Sequence, residues 1–85
     1  MEALSDISFH ECDVTSEESV AKCIAEVVQL HGKIDIVINC AGIGVAILTL
    51  SRTGVHDLET FRTVCEVNIV GTFNVCRLVA DQMRK

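Results

Sequence analysis

Apolar and polar positions along this chain fall into four groups, two with the spacing of strands and two with that of helices. Ile7 to Val14 predicts a short strand that ends in the polar Asp13. Thr15-Ser16-Glu17-Glu18 then signals a helix start, with Thr15 capping the first free amides and Glu18 reaching back. Val20, Ile24, Val27, Val28 and His31 recur at helical spacing, and Gly32 supplies a left-handed stop. Lys33 leads into Ile34-Asp35-Ile36-Val37-Ile38-Asn39, a β-branched run suited to a strand buried on both faces. Cys40-Ala41-Gly42-Ile43-Gly44 closes that run with small residues. The stretch through Thr53-Gly54 reads as a surface loop, apolar only from Val45 to Leu50. Asp57 caps a long helix from about Leu58 to Arg84, whose apolar residues include Phe61, Val64, Cys65, Phe73, Leu78 and Val79. The order strand–helix–strand–helix predicts an α/β fold with a parallel sheet, and no segment repeats.

Composition narrows the class. The 85 residues make at most one small domain, and chains this short bury only roughly 60% of their unfolded surface. Hydrophobic residues make up 49% of the sequence, too many for a disordered chain. A net charge of −5 without a basic stripe argues against direct nucleic-acid binding. No apolar run reaches the ~18 residues of a membrane span. Met1-Glu2-Ala3-Leu4 is neither a secretory signal nor an Arg-rich transit peptide. Cys12, Cys23, Cys40, Cys65 and Cys76 show no C-x-x-C and no zinc spacing, so they read as reduced, buried thiols of an intracellular protein. His10, His31 and His56 are scattered and read as structural, and no metal site is expected.

Three motifs carry a resemblance. Asp13-Val14 ends one strand, Asn39-Cys40-Ala41-Gly42 ends the next, and Val67-Asn68-Ile69-Val70-Gly71-Thr72-Phe73 follows within the long helix. In order and spacing they resemble the short-chain dehydrogenase/reductase family. Cys40 departs from the commoner N-N-A-G. With Gly71-Thr72-Phe73-Asn74-Val75 and the longer loop before Asp57, it is similar to a mitochondrial subgroup acting on 3-hydroxyacyl-CoA and hydroxysteroids with NAD.

The resemblance implies roles for particular residues. Asp13 would accept from the adenine amino group, and Val14 would offer its backbone and a wall. Ala41 and Gly42 lack bulk, so the chain could approach the cofactor closely. Cys40 would contribute backbone contact, and Asn39 would tie neighbouring strands. Asn68 is the catalytic candidate: in the family it bends the helix and binds, through its backbone, a water linked to the catalytic lysine. Independently of the family, an Asn inside a helix and flanked by Val67, Ile69 and Val70 needs hydrogen-bond partners. The plainer alternatives are a turn residue at Asp13, a tight exit at Ala41-Gly42 and simple backbone satisfaction at Asn68. Asn74 stands nearly opposite Asn68 on the helix and reads as ordinary.

These residues hold no T-G-x-x-x-G-x-G phosphate loop, no acidic residue that would choose NAD over NADP, and no tyrosine for the family's Y-x-x-x-K. The expected fold is therefore an incomplete Rossmann-like doubly wound parallel sheet, with residues 1–85 the central part of an NAD(P)-binding domain. Its strands would be the third and fourth of the order 3-2-1-4-5-6, which are not neighbours. Two function classes follow. One is part of an NAD-dependent oxidoreductase, inactive alone, whose parent is a homo-oligomer (a tetramer in the family) acting on an acyl-CoA or steroid. The other is a non-catalytic product that docks through its long helix.

Overall fold

The elements run in the order α1 (Glu17–His31), β1 (Leu50–Ser51), β2 (Gly54–Val55), α2 (Leu58–Cys65), a π-helical segment (Glu66–Gly71) and α3 (Thr72–Arg84). They are seen in a computed structural model described over residues 7–85, so Met1-Glu2-Ala3-Leu4 lies outside the described residues.

Helix α1 begins one residue later than the expected cap. Ser16 is the cap, its Oγ accepting from the Ser19 amide at 3.1 Å. Thr15 is not available for that role, because the Asp13 carboxylate takes both its amide (3.0 Å) and its hydroxyl (2.7 Å). The chain then turns, with the Ser16 amide donating to the Asp13 carbonyl at 3.0 Å. Gly32 ends the helix as expected, at φ 94°, its amide donating to the Val28 carbonyl at 2.7 Å.

The long helix is also as expected in extent. Leu58–Arg84 is continuous over 27 residues and Asp57 caps it, taking the Thr60 amide at 2.9 Å and hydroxyl at 2.6 Å. The new feature is the π segment in its middle, which contains Asn68 and Gly71. Such segments are a recognised cause of helix bending. By length and composition alone this helix is a candidate membrane span, with a hydropathy of 1.2. Its polar residues Asn68, Asn74 and Arg77, however, are bonded to other parts of the same chain, as in a helix packed within an α/β layer.

The two expected strands depart from prediction. Neither Ile7–Val14 nor Ile34–Asn39 is hydrogen-bonded into a sheet among the described residues. The first still alternates in exposure, with Ser8, His10, Cys12 and Val14 turned inward and Ile7, Phe9, Glu11 and Asp13 outward. The side-chain period of a strand is thus present without its ladder. A ladder needs an adjacent strand, and the third and fourth strands of the doubly wound order are not adjacent. The described sheet is instead a small antiparallel pair within the expected loop, Leu50 opposite Val55 and Ser51 opposite Gly54.

Helices α1 and α3 pack on one another, and Val20 on the first and Val79 on the second are the buried apolar residues. Beside them an apolar cleft of about 270 Å³ is lined by Cys12, Ile24, Val27, Ile36 and Val75, among others. Phe9, Ile36 and Ile38 are 90%, 78% and 79% exposed, on the segments where the family's order would set further strands. The radius of gyration is 16.9 Å, against about 12 Å for a compact domain of this length. The molecule is a slab with one layer of helices and an uncovered apolar side. The expectation of buried cysteines is corrected accordingly: Cys40 and Cys76 are exposed and the other three half-buried.

Hydrogen bonds from the Thr60 hydroxyl and amide hold the Asp57 carboxyl below the usual aspartate range. A group with a lowered folded pKa stabilises above its unfolded pKa, and that contribution fades as pH falls through the folded value. Asp57→Ala should therefore lower helix stability at neutral pH, through loss of the cap. Below the ordinary aspartate pKa the difference from the parent should shrink, as followed by circular dichroism during urea unfolding.

Candidate functional site

The middle of the long helix collects both strand ends that the motifs mark. Asn68 grips the second: its Oδ1 accepts from the Ile43 amide at 2.9 Å and its Nδ2 donates to the Ile43 carbonyl at 2.8 Å. This two-point contact satisfies the amide that an apolar helix segment left in need of partners. A Cβ on Gly42 would meet the Asn68 Oδ1 at 3.4 Å, so the Ala41-Gly42 exit runs close under the helix.

The first strand end is held from the same helix. Asn74 is 6% exposed and its Nδ2 donates to the Val14 carbonyl at 2.9 Å. Its Oδ1 accepts from Arg77 Nε (3.2 Å) and Nη2 (2.9 Å). Arg77 reaches on to Glu17 at 2.9 Å, tying the start of α1 to α3. Gly71 lies against Val14, where a Cβ would stand 2.6 Å from Val14 Cγ2. The expectation that Asn74 is ordinary is thus overturned. It does stand well round the helix from Asn68, and that is what lets one helix serve two segments. The same rule that singled out Asn68, an amide in an apolar helical stretch needing partners, applied equally to Phe73-Asn74-Val75.

Asp13 sits at the exposed rim of this arrangement. Its carboxyl is held below the usual range by the Thr15 hydroxyl and then the Thr15 amide. Both bonds fall on Oδ1, and among the described residues no donor reaches Oδ2. Its backbone amide donates to Ser19 Oγ at 2.8 Å. Asn39 does not tie strands together; its Nδ2 points to Cys76 Sγ on α3, at 3.5 Å. Cys40, Ala41 and Gly42 are all exposed and present little side-chain bulk. The arrangement is a carboxylate at one segment end, a small-residue exit at the other, and the long helix in contact with both.

The remaining titratable side chains belong elsewhere. Burial, and next the neighbouring Cys12, push the Cys23 thiol up, so it behaves as a protonated small hydrophobe rather than a nucleophile. The His56 ring bonds to the Asp57 carbonyl, at 2.7 Å, and its backbone amide donates to the Thr49 carbonyl at 2.9 Å. His10 and His31, expected to be scattered, in fact meet at Ser8.

With this geometry in place, the class follows: the chain belongs to the short chain dehydrogenase family, whose model matches residues 1–85. Among individual proteins it is 45% identical over 78 residues to 3-hydroxyacyl-CoA dehydrogenase type-2 of Bos taurus, covering 89% of this chain and 30% of that one. It is 47% identical over 77 residues to the Homo sapiens protein of that name, covering 88% and 30%. The chain therefore spans about 30% of the length of these relatives. In solved structures it superposes on ElxO with NADP bound at a TM-score of 0.80 and 30% identity, over 93% of this chain and 31% of that one. The citronellol catabolism dehydrogenase AtuB of Pseudomonas aeruginosa PAO1 gives 0.69 and 33%, over 95% and 32%. The fold is thus an incomplete Rossmann-like α/β piece, and its unpaired extended segments lie where that fold has strands.

Replacing a helical glycine by alanine normally stabilises by about 1 kcal/mol. Gly71→Ala should instead destabilise by about 1–3 kcal/mol, because its Cβ overpacks Val14. Adding Val14→Ala should recover part of that loss, a coupling readable from urea midpoints in a double-mutant cycle.

Proposed function

We propose that this chain supplies the adenosine side of a nicotinamide-dinucleotide site and one positioning element of the catalytic centre in an NAD-dependent short-chain oxidoreductase. The observation that carries this reading is the two-point contact from Asn68, within a π turn, to the backbone just beyond Asn39-Cys40-Ala41-Gly42. That contact joins the two motifs whose roles the family resemblance implies. The relatives named 3-hydroxyacyl-CoA dehydrogenase type-2 support a 3-hydroxyacyl-CoA as the substrate of the whole enzyme; a hydroxysteroid substrate and a mitochondrial location go with the subgroup that the motifs resemble. The NADP in ElxO supports a dinucleotide in general; NAD is the choice that goes with the hydroxyacyl-CoA reading.

In this reading the dinucleotide supplies hydride transfer. Asp13 would accept from the adenine amino group, and Val14 would offer a wall. The backbone of Cys40, Ala41 and Gly42 would contribute contacts along the ribose, with Asn39 anchoring that segment end on α3. With its side chain committed to Ile43, Asn68 leaves its backbone carbonyl in the π turn to hold a water that hands protons onward. Chemistry at the carbinol needs an acid or base within hydrogen-bond reach, and the sequence contains no tyrosine to serve. The 85-residue chain by itself is therefore inactive in this proposal.

A second reading has its own observation. Leu58, Phe61, Ile69 and Phe73 on the long helix are each more than half exposed, which supports this helix as a contact surface between subunits of a homo-oligomer.

The purified chain should show no NAD-dependent oxidation of a 3-hydroxyacyl-CoA above a heat-killed control. Set in place of the matching segment of the human relative, it should support that oxidation. Failure of the graft with every hydroxyacyl-CoA and hydroxysteroid tried, in a folded protein, would refute the assignment. In the active graft, Asp13→Ala should raise the KM for NAD several-fold, as loss of one hydrogen bond predicts, and leave kcat nearly unchanged. Asn68→Ala should instead lower kcat, by roughly tenfold or more, because losing the side-chain anchor on Ile43 displaces the backbone carbonyl that holds the proton-relaying water.

A further inference from the structure

A cluster distinct from the dinucleotide site lies at the far end of the first extended segment. Ser8 and His10, two residues apart, share its inward face. His31 arrives from the last turn of α1. His10 Nε2 stands 2.8 Å from Ser8 Oγ and His31 Nε2 stands 3.1 Å from the same atom. The two imidazole nitrogens converge on one point, within about 6 Å of each other by these two distances. The other nitrogen of His10, Nδ1, faces the Glu26 carboxylate at 3.5 Å.

We propose that His10 and His31 form a site for a borderline divalent transition-metal cation, bound through both Nε2 atoms, with Glu26 orienting the His10 ring. Imidazole nitrogen suits such cations, zinc foremost, at about 2.0–2.1 Å. A carboxylate on the non-ligating nitrogen of a metal-bound histidine fixes its tautomer and raises its basicity. Glu26 occupies that place. The carboxyl end of α1 adds the negative end of a helix dipole next to His31, which favours a cation. Ser8 Oγ now bridges the two rings, within hydrogen-bond distance of both. Rotation about its Cα–Cβ bond clears the point between them, and a small closing movement of His31 at the helix terminus brings both nitrogens within reach of one ion. Among the described residues no group of three or more His, Cys, Asp or Glu side chains converges. The site is therefore a two-nitrogen chelate completed by water rather than a closed structural centre.

The test uses the full 85-residue chain and zinc ion as the probe. Its five free cysteines bind zinc too, so the readout is residue-specific: long-range ¹H–¹⁵N spectra that resolve each imidazole. His10 and His31 Nε2 resonances should move together and saturate at one equivalent, while His56 stays fixed as the internal control. His31→Gln, at an exposed helix end and checked for unchanged helicity, should abolish the His10 response. Glu26→Gln should weaken it about tenfold, the usual scale for losing such a carboxylate. Ser8→Ala, which removes the bridge but neither ligand, should still bind. Unmoved His10 and His31 signals, shifts shared equally by His56, or a His10 response that survives His31→Gln would each overturn the proposal.

Discussion

Asparagine amides on a single helix hold the two strand ends of this molecule in place. Asn68 pairs with both backbone groups of Ile43, and Asn74 takes the carbonyl of Val14. An exposed strand end in water would satisfy these groups with solvent at little net cost, and each such bond adds only about 1 kcal/mol. Their importance is geometric. They set the ends of two non-adjacent segments at defined heights against one scaffold, and the sheet among the described residues, β1 with β2, includes neither segment. Gly71 completes the arrangement by letting Val14 come closer than any other residue at that position would allow.

The rest of the fold depends on this helix. Arg77 continues the network from Asn74 to Glu17 and so ties α1 to α3, and Val20 and Val79, one on each helix, are the buried apolar residues. Because the apolar core is so thin, polar fastening carries an unusual share of the order. The uncovered side, with Phe9, Ile36 and Ile38, is the face that a doubly wound sheet closes. The candidate site follows the same plan: in the proposed reading the groups that would touch a dinucleotide are exposed at the segment ends, and those that position them are on the long helix.

Much of this was legible in the residues. The Asp57 cap, the Gly32 stop and the extents of both helices rest on local hydrogen bonding and spacing, which a short window of sequence contains. The three family motifs pointed to the two strand ends and to Asn68 before any geometry. The cap at α1 was misjudged because two candidate residues compete: Asp13 captures Thr15, and Ser16 inherits the role. That outcome depends on where the Asp13 carboxylate lies, which the order of polar residues does not encode.

By itself the sequence determined the local elements and the family, because capping, helical period and motif spacing act over a few residues or a fixed chain distance. The tertiary structure decided what meets across long separations. It joined Asn74 to Val14, 60 residues away, and Asn68 to Ile43, 25 residues away, and it brought His31 to Ser8. It also decided that the segments Ile7–Val14 and Ile34–Asn39 stand without a ladder. A β-branched run carries a preference for extended backbone, but a strand exists only where a neighbour supplies the other half of each hydrogen bond.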